Sequence, residues 1–157
     1  MEQKKDKGFV ISQEEIDDKW FRPWAEKYLD EAFRQAPFLI DWSGNCAGHN
    51  VVVELKERFD PSTKYVTGMI EASKWCQLIN NWHWHGNQPV YCCKWSDDIL
   101  TVWNIVQLPE EPKMEKWRTW NEELKCFTET SKLFLPMKDA KIYDAKTLQR
   151  IKNEQTT

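Results

Sequence analysis

Apolar residues recur at every fourth position from Ile16 through Trp20, Trp24 and Tyr28 to Ala32, a spacing that lines one face of a helix. Ser12 stands three residues before Glu15, the capping-box pattern that opens such a helix. Pro23 interrupts the pattern and predicts either a kink near Trp20 or two helical pieces, the second starting near Arg22; Pro37 marks the end. The stretch FLIDWSGNCAGHNVVVELKERF then reads as two antiparallel strands, 38–42 and 50–58, joined by a turn containing Gly and Asn. Helical spacing returns over 64–84 with Ile70, Trp75, Leu78, Ile79 and Trp82, closed by GNQP. PVYCCKW and ILTVWNI are two further strands separated by Ser-Asp-Asp. After a Pro- and Glu-rich link come an amphiphilic segment over 116–126 and LFLPMKDAKIYD, read as a short strand or loop with a final helix packed on the core.

The order is therefore α, β, β, α, β, β, an α/β chain of mixed α+β character with a mixed central sheet flanked by helices. The strand after the crossover helix is expected to lie parallel to the strand before it.

At 157 residues, with 41% hydrophobic and 30% charged positions, the chain has the size and make-up of one folded domain. Residues 1–11 read as a flexible leader and 12–157 as the domain. Ten Trp, four Tyr and seven Phe supply large surfaces for core packing. A net charge of -3 confines any phosphate contact to a local patch or to metal ions. No apolar run approaches the length of a membrane span, and the charged opening MEQKKDKGFVISQEE does not read as a signal peptide. The five irregularly spaced Cys fit reduced thiols, so a cytoplasmic location without membrane association is expected.

The candidate chemistry lies in the first hairpin. Side chains alternate along a strand, so Glu54 and Lys56 share one face while Val53 and Leu55 share the other. If the hairpin closes as read, Asp41 approaches Glu54 across it, with Lys56 beside them. Two carboxylates so close call for a cation. Oxygen donors of this kind suit Mg²⁺ or Mn²⁺, which bind through one or two carboxylates and complete their shell with water and substrate phosphate.

Asp41, then Glu54-Leu55-Lys56 at the end of an apolar strand, then a long helix and two more strands resemble the PD-(D/E)xK nuclease superfamily, the restriction-endonuclease-like fold. The resemblance covers roughly residues 12–106, and Ile40 stands where the family motif has proline. It implies that Asp41 and Glu54 bind the metal and that Lys56 is the catalytic lysine. An acid from the first helix often joins them in that family. Glu31 and Glu26 are the candidates here, with Glu31 preferred because it lies nearer the strand end. Polar residues of the following helix point to Lys74 or Gln77 as substrate contacts. Arg58, with Lys56, Lys64 and Lys74, forms a candidate phosphate-binding patch beside the hairpin.

The implied activity is that of a small Mg²⁺-dependent phosphodiesterase acting on nucleic acid, with DNA favoured over RNA. So short a chain leaves little room for a separate sequence-reading domain, which points to structure-specific cutting or to help from a protein partner or a second copy. The rival reading is a non-catalytic protein of the same fold that engages a protein or nucleic acid through a Trp-rich surface including Trp84.

Cys46-Ala-Gly-His49 and His83-Trp-His85 lack the paired-knuckle spacing of structural zinc. Cys76, Cys92 and Cys93 instead read as small buried residues. Cys46 and His49 fall in an exposed turn, and His83 and His85 at a helix end.

Overall fold

The computed structural model describes residues 12–34 and 40–151. The leader assigned to residues 1–11 lies outside the described residues, as do Pro37, Phe38 and Leu39.

Helix α1 (Gln13–Tyr28) starts where the cap predicts: Ser12 Oγ accepts the Glu15 N–H at 3.2 Å. It continues through Pro23 as one helix and stops at Leu29, whose backbone turns extended. The helical spacing had included Ala32, but Glu31 and Ala32 belong to strand β1 (Glu31–Arg34). That short strand pairs antiparallel with β2 (Trp42–Cys46), from Glu31 opposite Asn45 to Arg34 opposite Trp42. A ladder supplied by a distant segment overrides a local preference for helix.

The expected hairpin forms from β2 and β3 (His49–Glu57), turning at Ala47 and Gly48, both with positive φ. The helix expected from residue 64 begins later. Thr67–Glu71 is strand β4, and α2 spans Ala72–His85, with Gly86 closing it in the left-handed region. β5 (Gln88–Lys94) then lies parallel to β3, as the crossover rule requires, and pairs antiparallel with β6 (Ile99–Asn104).

Beyond a 3₁₀ turn at Ile105–Gln107, the amphiphilic segment is strand β7 (Lys113–Asn121), which folds back as β8 (Cys126–Pro136). No final helix forms over LFLPMKDAKIYD. Its residues close β8, make a second 3₁₀ turn at Met137–Asp139 and enter β9 (Lys141–Asp144), which pairs with β10 (Arg150–Ile151).

Among the described residues two sheets result. The larger runs β1-β2-β3-β5-β6-β9-β10, in which β3 and β5 are parallel and the other neighbours antiparallel; the smaller is β4-β8-β7. This is the mixed sheet flanked by helices that the sequence predicts.

Strand alternation decides what each face buries. Val51, Val53 and Leu55 meet Trp20, Phe21 and Trp24 of α1, whereas Val52, Tyr91 and Trp103 meet Ile70 and Leu78 from β4 and α2, with Leu133 and Leu135 of β8. The large sheet is thus covered by α1 on one side and by α2 with the small sheet on the other. Trp20, Trp24, Trp42, Trp95 and Trp103 are core residues. No helix among the described residues is long and apolar enough to cross a membrane.

Candidate active site

The ladder from β2 to β3 ends at Trp42 opposite Val53. One step further, Asp41 lies at a bend across from Glu54. Asp41 Oδ2 accepts the Leu55 N–H at 2.8 Å, so a carboxylate takes the place of a ladder partner where β2 stops. A cavity of about 330 Å³ fills the gap beside the end of β3, on the edge where β2 no longer pairs with it, and Asp41, Glu54 and Lys56 all line it. The sequence had placed Asp41 within the first strand; it stands just before that strand, and the hairpin register still sets it against Glu54.

Glu54 is buried, with 6% of its surface exposed, while Lys56 next along the same face is exposed. Burial first, and then the charge of Asp41, push the Glu54 carboxyl up to about 7. Lys74 of α2 works against both, its Nζ 3.4 Å from Glu54 Oε1, without overcoming them. At neutral pH Glu54 is therefore poised between its neutral and charged forms and responds to any cation brought near.

α1 contributes an acid that the sequence reading did not single out. Asp17 lines the cavity and accepts hydrogen bonds from Gln13 Nε2 at 2.8 Å and Trp20 Nε1 at 3.0 Å. Burial raises its pKa, those two bonds oppose the rise, and the charges of Asp41 and Glu57 add to it. The usable signal was position: Asp17 falls three residues before Trp20 and four before Phe21, on the stripe that packs against the sheet.

Glu31, the acid preferred from sequence, sits on β1 opposite Asn45 and lines a separate groove with Asn50 and Asn87. Glu26 is exposed on α1 and faces a hollow shared with Arg22 and Asp30. Neither lines the cavity that holds Asp41 and Glu54.

The remaining candidates also separate. Lys74 reaches the cavity; Gln77 is exposed on α2 and does not line it. Arg58 lines the wall, where its guanidinium donates to the Met69 carbonyl and to Tyr91 Oη at 3.3 Å, fastening β3 to β4 and β5. Lys132 of β8 enters the cavity because it pairs opposite Glu71 of β4, a long-range pairing with no local sequence signal.

The donor set fits a hard divalent ion: two oxygen-bearing side chains, one buried and raised, with an open cavity for water and phosphate beside them. Among the described residues no three His, Cys, Asp or Glu gather closely enough to enclose a metal. Cys92 and Cys93 are buried core residues, whereas Cys76, expected inside, is exposed on α2. His49 is exposed at the hairpin turn, and His83 and His85 are exposed at the end of α2.

No family model matches the chain, and no curated protein matches it. Among solved structures it is similar to Hjc, a Holliday junction resolvase from the archaeal hyperthermophile Archaeoglobus fulgidus, with a TM-score of 0.47 and 16% identity over 74% of this chain and 81% of that one.

Proposed function

We propose that the protein is a small divalent-metal-dependent nuclease that hydrolyses phosphodiester bonds, with DNA as the substrate. The observation that supports this is the convergence of Asp41, Glu54 and Lys56 on one cavity at the end of β3, where its ladder with β2 has stopped. In this reading Asp41 and Glu54 hold Mg²⁺ or Mn²⁺ through carboxylate oxygens. The ion, when bound, supplies positive charge for the phosphate and lowers the pKa of a water molecule.

The chain's own groups do the rest. The Leu55 N–H fixes one oxygen of Asp41, which orients that carboxylate before any ligand arrives. Glu54 sheds the proton that burial favours, and Lys74 is the nearby ammonium that steadies the resulting charge. Lys56, exposed on the face shared with Glu54, positions the attacking water and donates to a phosphate oxygen. Asp17 is a third acid facing the same space, and Lys132 offers a further cation for the substrate backbone.

The test uses purified protein with branched, single-stranded and duplex DNA, and with RNA, in Mg²⁺ and separately in Mn²⁺. Cleavage of DNA is expected, and Lys56→Ala should slow it by about 10² or more with far less effect on binding. Absence of cleavage throughout, or cleavage undiminished in the variant, overturns the reading.

A second reading, a non-catalytic binding protein, draws on Trp84, which is 75% exposed at the end of α2 beside exposed Trp82. Under it, Trp84→Ala would weaken a partner complex more than Lys56→Ala does.

A further inference from the structure

A second hollow, of about 200 Å³, adjoins the candidate active site between the β3–β4 connection and the base of the β7–β8 hairpin. Arg58 and Met69 line both spaces. The hollow's own walls are largely aromatic, with Tyr65 on one side and Trp117 and Phe134 on the other. Trp117 and Phe134 stand 6.1 Å apart at an interplanar angle of 33°, and Trp117 keeps 44% of its surface in solvent. Tyr65 is 48% exposed.

Cations frame these rings. Lys132 Nζ lies 5.3 Å from the Trp117 ring centre and lines the catalytic cavity, while Lys64 Nζ lies 5.3 Å from the ring of Tyr65. Asp60 adds one carboxylate to the lining, already accepting from Lys64 Nζ at 2.9 Å.

We propose that this hollow takes one unpaired nucleobase of the strand being cut, stacked on Trp117 and Tyr65, next to the phosphate held at Asp41, Glu54 and Lys56. The proposal rests on the nuclease reading of the adjoining cavity and specifies its substrate: DNA with an unpaired nucleotide beside the cleavage point.

Three features select that occupant. The space suits one flat ring system, and a base still paired and stacked within a duplex cannot enter it. Exposed indole and phenol rings offer π-faces that bind any base. Arg58 lines both spaces and Lys132 lies against Trp117 at the cavity's edge, so a sugar-phosphate backbone running from one to the other meets positive charge along its path.

The test compares a duplex containing a short single-stranded gap with a continuous duplex of the same sequence. Binding of the full chain is measured by fluorescence anisotropy in EDTA, and cleavage is measured separately in Mg²⁺. Wild-type protein should prefer the gapped DNA. Trp117→Ala should lower that preference about tenfold, within the range for one base–aromatic stack, and Trp117→Phe should retain most of it.

Trp120→Ala is the control. Trp120 is an exposed Trp three positions along the same strand and therefore on the opposite face, and its loss should leave the preference unchanged. An unchanged preference in Trp117→Ala, an equal loss in Trp120→Ala, or equal weakening on continuous duplex would overturn the proposal. Absence of cleavage with the binding pattern intact would remove the nuclease reading and leave the base-binding hollow standing.

Discussion

At Glu54 burial and the charge of Asp41 act together against ionisation, and Lys74 opposes both. The Glu54 carboxyl is held at about 7 against an ordinary 4.5, so between those values the folded protein keeps a proton that the unfolded chain has lost. The stabilisation is complete below pH 4.5 and is lost as pH rises through 7. It amounts to at most about 3 kcal/mol. In metal-free solution, then, wild-type stability should fall between pH 5 and 8, and Glu54→Gln should flatten the profile and leave the protein more stable at pH 8. Asp17 titrates in the same sense, so the informative quantity is the wild-type minus variant difference in urea unfolding. Divalent ions should restore the wild type at pH 8 and do little for the variant; a variant with an unchanged profile would show that Glu54 does not carry the effect. The pairing of Glu54 with Asp41 was legible because strand alternation and hairpin register are local rules. Lys132 was not, since it reaches the cavity through the pairing of a distant strand, and for Asp17 the helix stripe marks the sheet-facing side but not the cavity it meets.

The small sheet is seated on the large one through a contact that admits no side chain. Gly68 of β4 faces the six-membered ring of Trp103, and a Cβ there would overlap it. Trp103 has little room to yield: it is fully buried, and its Nε1 donates to the Pro136 carbonyl at 2.9 Å. Gly68→Ala should therefore destabilise the protein by about 1–3 kcal/mol, read by urea denaturation. An unchanged midpoint would mean that β4 can shift without loss. The spacing of Ile70 with Trp75 and Leu78 points to a helix that would take in strand β4. Its strand character comes from β8, more than sixty residues later. The same reason hid β1 and β7, whose partners supply what their own sequences do not. By contrast, the start of α1, the β2–β3 and β5–β6 hairpins and the parallel β3–β5 pair follow from caps, turns and the handedness of crossovers, and these were visible in the sequence.

The net charge of -3 limits how the protein holds a polyanion. Among the described residues only Lys56, Arg58, Lys74 and Lys132 bring positive charge to the cavity, and Lys74 already pairs with Glu54. DNA affinity should therefore depend weakly on salt, with a log–log slope of about -3, because each neutralised phosphate contributes about -0.9. Anisotropy titrations across a salt series measure it, and a slope near -10 would reveal an extended phosphate track elsewhere on the surface. The cavity draws its walls from α1, β3, β4, α2, β5 and β8. Its geometry thus depends on both sheets and on both helices of the described residues being in place.

Asp41 gives one oxygen to the main chain of β3 while facing the cavity, so this side chain belongs to the scaffold as well as to the candidate site. Glu54 answers in kind, its carboxyl accepting from the Asp41 main chain, so the two acids grip each other's stretch of backbone across the foot of the hairpin. A substitution that shortens either side chain therefore disturbs the setting of the other.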